Sequence, residues 1–201
     1  MRVCAVICEY NPFHNGHARH LALAREKSGA DFLLCLMSGA LTQRGAFARH
    51  DKWLRARMAL QGGADVVLEL PCRFACAPAP DFASGGVALL SALGVVTHLS
   101  FGCEAESLDI LSTARDALKD ESPAFQSALK DALAHGLPYP RARALAAEKA
   151  SGLSGLAEQT ARPNAALALE YLQALPDNIA SVPILREGCG YHDSSPSPRA
   201  S

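Results

Sequence analysis

The stretch from Glu9 to His20, EYNPFHNGHARH, constrains this chain more than any other. It follows an apolar run, Val3 to Cys8, and leads into Leu21 to Lys27, which has a helical composition. An apolar run of that length closed by Asn11 and Pro12 reads as a buried strand. From His17 to Lys27, Leu21 and Ala24 share one helical face while Arg19, Arg25 and Lys27 fall elsewhere. The expected element is therefore a strand-to-helix turn.

That turn has a chemistry of its own. Pro12 has no N–H for a ladder and biases Asn11 away from helical geometry, so the strand should stop there. Asn15 is expected to be the helix N-cap, and Gly16 permits close approach to the backbone. A helix N-terminus presents unpaired N–H groups with partial positive charge, which suits phosphate. His14 and His17, three apart, would set two imidazoles beside the same anion. Two histidines three apart also arise as surface or capping groups. It is the buried strand immediately before HxGH that points to a nucleotide triphosphate.

At 201 residues and 49% hydrophobic, the chain can bury one core, or one core with an appendage. The formal net charge of -1 gives no global basic field, so any contact with RNA would be a local patch. No apolar run approaches the roughly 20 residues that span a bilayer, and no cleavage pattern follows the N-terminus. A cytoplasmic protein with no membrane contact is expected. The seven cysteines are an odd set lying mostly in apolar strands, unlike a disulfide framework. Cys72 and Cys76 lack a second half-site for zinc, so no metal ligands are assigned.

In order, the chain alternates. Expected strands are Val3 to Cys8, Asp31 to Ser38, Asp65 to Leu70 and Val95 to Phe101. Expected helices between them are His17 to Lys27, Lys52 to Gln61, with Trp53, Ala56 and Leu60 on one face, and Asp81 to Leu93, capped by Asp81 and stopped by Gly94. This alternation implies an α/β fold with a doubly wound parallel sheet. Helices at Ser107 to Leu118, Ala124 to His135 and Arg141 to Lys149 interrupt it and form a helical insert. A last helix, Ala165 to Leu175, and a last strand, Ile179 to Arg186, follow. The expected division is residues 1–105 as nucleotide-binding core, 106–162 as helical segment, 163–190 as completion of the core and 191–201 as a tail rich in Ser and Pro, expected to be mobile. Ligands in such sheets bind beyond the carboxyl ends of the strands. SGALTQRG from Ser38 to Gly45, Glu69 to Pro71 and Gly102 to Glu104 fall there.

The run EYNPFHNGH resembles a known family when read together with MSG at Met37 to Gly39, QRG at Gln43 to Gly45, DKWLRARMAL at Asp51 to Leu60, DVVLELP at Asp65 to Pro71, DFASGGV at Asp81 to Val87 and FGCE at Phe101 to Glu104. The later PNAALALEYLQAL and the YHD at Tyr191 to Asp193 extend the likeness. The family is the bacterial tRNA(Met) cytidine acetate ligases, and the likeness covers nearly the whole chain.

The resemblance implies a Rossmann-like fold of the HxGH nucleotidyltransferase type. It also implies an ATP-dependent ligase that activates acetate as acetyl-adenylate and acetylates N4 of the wobble cytidine of elongator tRNA(Met). Carried over by position, the ATP site comprises Ile7, Cys8, Glu9, Tyr10, Asn11, Pro12, Phe13, His14, Asn15, Gly16, His17, Ala18, Arg19, His20, Gly102, Asn164 and Arg186. Within it His14 and His17 would be the catalytic donors to the phosphate oxygens, with Mg²⁺ accompanying the pyrophosphate. Gly102 would let backbone approach the adenosine, Asn164 would pair with a polar edge, and Arg186 would clamp phosphate. Arg44, Lys52 and Arg55 lie in the densest basic stretch and are the candidates for tRNA; a solvated helix face is the other reading.

The family continues beyond this length, and HxGH enzymes carry a second Ser/Thr motif ending in Arg that holds the triphosphate. That motif is expected to begin about where this chain ends, at Arg199 to Ser201, which makes the chain a fragment or a shortened homologue. Two other functions stay open: a small-molecule adenylyltransferase using the same turn, and a non-catalytic module that binds ATP or tRNA.

Overall fold

The computed structural model describes residues 1–104, 108–120 and 122–185. The elements run β1 (Val3–Cys8), α1 (Asn15–Ser28), β2 (Phe32–Ser38), α2 (Lys52–Gln61), β3 (Val66–Leu70), α3 (Cys72–Ala75), α4 (Ala79–Ala92), β4 (His98–Cys103), α5 (Leu108–Asp120), α6 (Pro123–Ala134), α7 (Tyr139–Ser151), α8 (Leu156–Thr160), α9 (Pro163–Ala174) and β5 (Ala180–Leu185). The five strands form one sheet in the order β3-β2-β1-β4-β5. β1 pairs in parallel with β2 and β4, and β2 in parallel with β3. The α/β doubly wound architecture is the one expected from the alternation.

The central strands explain the continuous apolar runs. VCAVIC and FLLCLMS are apolar at successive positions because a parallel strand flanked by crossover helices is covered on both faces. Cys4, Val6, Leu33, Cys35 and Met37 pack with Leu21 and Ala24 of α1 and Ala59 of α2 in one buried cluster. Each fully buried leucine there contributes about 2 kcal/mol by the area it removes from water. Thiols serve as small hydrophobes in this core: burial pushes Cys4 up to about 11 and raises Cys8.

The chain divides into two compact units, residues 1–101 with 174–201, and residues 102–173. The second is helical, with Ala114, Phe125, Ala146, Leu156 and Leu169 in its buried cluster. The sequence predicts that the helix after Pro163 completes the sheet core. Its Leu169 packs among the helices instead, so α9 belongs with the second unit apart from its last residue.

Several boundaries differ for local reasons. α4 begins at Ala79, two residues before Asp81, with Pro78 as its N-cap, so Asp81 is a first-turn residue near the helix dipole and not the cap. β4 starts at His98 and not Val95, because Thr97 is occupied by bonding the β1 entry: its hydroxyl donates to the Val3 carbonyl. The short helices α3 and α8 have too few residues to show a period. No described helix is long and apolar enough to cross a membrane.

At the amino edge of the sheet, Asp65 accepts the Leu33 N–H at 2.6 Å and pairs with Arg25 at 2.5 Å. Burial pushes the Asp65 carboxyl up, but the Leu33 N–H and the Arg25 guanidinium outweigh it, and the pKa falls below its ordinary value. A carboxyl depressed on folding stabilises the fold above its unfolded pKa, about 3.9, and loses that contribution as pH falls through the lower folded value. Both side chains are about a third exposed, 37% and 36%, so the contribution should stay below about 1 kcal/mol. Urea unfolding of Asp65→Asn at pH 7 and pH 3 should show a gap from wild type that narrows at the lower pH. A gap of the same size at both pH values would assign the loss to something other than ionisation.

Candidate functional site

Beyond Cys8 the chain leaves β1 through a tightly bound turn. Tyr10 takes φ 48° and Asn11–Pro12 is a cis peptide. Tyr10 turns inward, nearly fully buried, with its phenol 3.5 Å from Cys35 Sγ. Burial, then Cys8 and Cys35, push that phenol far up, so it stays protonated. Phe13 stands edge-on to Tyr10 at 4.9 Å. The Phe13 ring occupies the space a Cβ on Gly62 would need. The apolar base of the turn is thereby fixed.

The helix cap is His14, and not Asn15 as the sequence suggested. Its Nδ1 accepts the Gly16 N–H at 3.1 Å, while His17 Nδ1 accepts the His14 N–H at 3.3 Å, a reciprocal capping box built from two imidazoles. Asn15 is the first helical residue. Gly16 has a specific reason to be glycine: a Cβ there would stand 3.0 Å from His14 Cε1, so it is His14's own ring that comes close. The two rings stack at 3.6 Å between centroids with 25° between planes. With each Nδ1 accepting a backbone N–H, a neutral ring carries its proton on Nε2. The pair therefore combines a fixed tautomer with a fixed orientation, as a hydrogen-bond donor to developing negative charge requires.

Side chains tie the turn to the loop between β2 and α2. Glu9 Oε1 accepts the Gln43 N–H at 2.6 Å, and Asn11 Oδ1 accepts the Arg49 N–H at 2.7 Å. In that loop Gln43, Arg44 and Gly45 form a tip closed by Gly45 N–H donating to the Thr42 carbonyl at 2.9 Å, with Gly45 at φ 74°. Beneath it lies Arg55. Its guanidinium donates to the carbonyls of His50 at 3.1 Å, Glu9 at 2.5 Å and Gly39. Arg55 is 0% exposed. Burial lowers its pKa from the ordinary value and Cys8, Glu9, Asp51 and Glu69 oppose that, so the guanidinium remains charged. The expectation that Arg55 meets tRNA is corrected: the side chain is consumed inside, joining three segments.

The chain runs outward from β1 to β2 and β3, then returns to β4 on the other side, so the switch point of the sheet lies between β1 and β4. His20, on α1, spans it: its Nε2 lies 2.9 Å from Ser100 Oγ of β4. Ile7, Cys8, Glu9, Tyr10, Asn11, Pro12, Phe13, His14, Asn15, Gly16, His17, Ala18, Arg19 and His20 are thus contiguous at this end of β1 and start of α1. Arg44 is exposed on the loop tip, and Lys52 pairs with Glu69 at 2.6 Å. Gly102 and Asn164 belong to the second unit. There Asn164 Nδ2 donates to Glu104 Oε1 at 2.5 Å, and Arg162 donates to the Glu104 carbonyl. Glu104 closes the FGCE run, and sequence reasoning gave it no role; a carboxylate there is what fixes the Asn164 amide. Arg186 lies outside the described residues, as do the YHD run and the tail.

A model of the family described as HIGH Nucleotidyl Transferase matches residues 1–201. Among curated proteins, the tRNA(Met) cytidine acetate ligase of Clostridium perfringens (strain SM101) is 40% identical over 203 residues, covering 96% of this chain and 50% of that protein. The ligase of Acetivibrio thermocellus is 44% identical over 176 residues, covering 87% of this chain and 42% of that protein. A crystal structure of Thermotoga maritima TmcAL bound with alpha-thio ATP is 38% identical with a TM-score of 0.86, covering 94% of this chain and 47% of that one. The apo form of the same protein gives a TM-score of 0.91, covering 100% of this chain and 49% of that one. The chain spans about half the length of the curated relatives it matches.

Proposed function

The chain belongs to the HIGH nucleotidyl transferase family, and from that premise we propose that it carries the ATP-activating site of a tRNA(Met) cytidine acetate ligase. In this reading a carboxylate oxygen of acetate attacks the α-phosphorus of ATP and pyrophosphate leaves in line. The N4 amine of the wobble cytidine of elongator tRNA(Met) then attacks the acetyl carbonyl, AMP leaves and N4 gives up a proton. The stacked, mutually capped His14 and His17 carry the proposal, because their Nε2 protons supply directed donors where phosphate charge grows. The α1 N-terminus adds partial positive charge at the same place. Ile7 to His20 form the ATP contact segment, and the same reading assigns nucleotide contacts to Gly102, Asn164 and Arg186. Arg44 and Lys52 are proposed tRNA contacts, in a cytoplasmic enzyme.

Mg²⁺ enters this reading as a companion of the pyrophosphate. Among the described residues no group of three or more His, Cys, Asp or Glu is arranged to hold a metal. In this reading phosphate oxygens and water would chiefly hold it, as is usual for Mg²⁺ beside nucleotides.

The test is acetate-dependent exchange of labelled pyrophosphate into ATP by this chain. Exchange that requires acetate is expected. Exchange that proceeds without acetate, on a small phosphate ester instead, would replace this function with small-molecule adenylylation. ATP binding with no exchange under any condition would make the chain a binding module.

A further inference from the structure

The outer face of α2 carries an arrangement that phosphate activation does not use. Trp53, the chain's one tryptophan, is 75% exposed, and Phe47 on the preceding loop is 82% exposed. Single exposed apolar residues are ordinary, but these stand among cations. Arg44, Arg49 and Arg57 are exposed, and Arg57 is one helical turn after Trp53, so their side chains are neighbours. Lys52 Nζ lies 5.4 Å from the Trp53 ring centroid. The only acid from Gly39 to Gln61 is Asp51, whose carboxylate caps α2 by accepting from Trp53 and Leu54 N–H. A chain with net charge -1 therefore concentrates positive charge around exposed aromatics here.

A cavity of about 240 Å³ opens beside Trp53, against the ends of β2 and β3. Met37, Ala56 and Val67 contribute apolar walls. Ser38 also lines it; the residue is fully buried, and its hydroxyl has no hydrogen-bond partner among the described residues. The Lys52–Glu69 ion pair adds a donor and an acceptor to the same lining. Apolar walls beside an indole, an unsatisfied hydroxyl, a donor and an acceptor suit a planar heterocycle with a polar edge.

We propose that this face binds an unpaired nucleobase of the RNA substrate. Trp53 stacks on the ring, the base edge turns toward Ser38, Lys52 and Glu69, and Arg44, Arg49 and Arg57 hold the flanking phosphates. The inference rests on the reading that RNA accepts the acetyl group. Single-stranded loops are the RNA elements that can offer a splayed base to an aromatic side chain, whereas bases within a duplex are stacked and paired. Stacking on one aromatic side chain is worth roughly 5- to 150-fold in affinity.

The single tryptophan makes the test direct. This chain is titrated with the anticodon stem-loop of elongator tRNA(Met), following polarisation of labelled RNA and, separately, tryptophan emission with unlabelled RNA. Emission should be quenched along the same curve as polarisation rises. Trp53→Ala should weaken binding about tenfold, Trp53→Phe should recover most of it, and Arg57→Gln should flatten the salt dependence by about one charge. Because Trp53 is exposed, far-UV circular dichroism of these variants should match wild type. Binding with emission unchanged and Trp53→Ala neutral would overturn the inference while leaving the proposed function intact. Equal affinity for a fully paired RNA would overturn it as well. Absence of any RNA binding would overturn both the inference and the choice of RNA as acceptor.

Discussion

Acetate-dependent pyrophosphate exchange should fall by about 10²- to 10³-fold in His14→Asn, with thermal stability nearly unchanged. The substitution separates two jobs that one ring performs. His14 Nδ1 caps α1 by accepting the Gly16 N–H. Asparagine is among the best capping residues, so Oδ1 keeps that bond and saves the roughly 1 kcal/mol a cap provides. What it cannot supply is a second donor on the far side of a rigid ring. His14→Ala removes both functions and should lose the cap energy in addition. Exchange rates and melting curves for the two variants therefore decide between catalysis and capping. If His14→Asn exchanges at the wild-type rate, the imidazole is only a cap and the phosphate must be activated elsewhere.

Removing the buried guanidinium should have the largest effect on stability. Arg55→Met should cost about 3 kcal/mol, because it takes the donor from the buried Gly39 carbonyl and from the part-buried bonds to the Glu9 and His50 carbonyls. Arg55→Lys should recover little: one ammonium on a flexible stem cannot span acceptors that a planar fork reaches together. Urea unfolding of the three proteins measures this. The same substitutions should depress exchange in the fraction that remains folded, since the Glu9 carbonyl opens the histidine turn and displacements of about 1 Å are costly in rate. An Arg55→Met protein within about 0.5 kcal/mol of wild type would mean that the three segments hold together without the guanidinium.

The sheet was legible because its physics is local to each strand. VCAVIC and FLLCLMS can only be covered on both faces, and the boundaries of β1 and α2 were read to the residue. Arg55 was not legible, because arginine in a basic helix reads as solvated and only the fold reveals three carbonyls converging on it. The stripe of Trp53, Ala56 and Leu60 misleads in the same way: it looks like a core-facing surface, yet Arg55 and Ala59 are the buried positions of α2. At the histidine turn the residue types gave the strand-to-helix junction and the wrong cap. Asn15 is the better capping residue by statistics, but a histidine one position earlier with a glycine two further on lets an imidazole nitrogen reach the amide. Gly102, Asn164 and Arg186 rest on the family resemblance alone.

The strand order has a consequence for a chain emerging from the ribosome. β1, β2 and β3 are made first and pair in succession, so half the sheet can form early. β4 comes later to the other side of β1, and its own outer edge is then covered by β5, which is translated only after the whole helical unit. Through that interval β4, with Leu99 and Phe101, presents an unpaired apolar edge of the kind that recruits other chains. The helices of the second unit depend on contacts close in sequence and fold fast. The time needed to translate that unit, not its folding, sets how long the edge stays exposed, and with it how much newly made protein escapes aggregation.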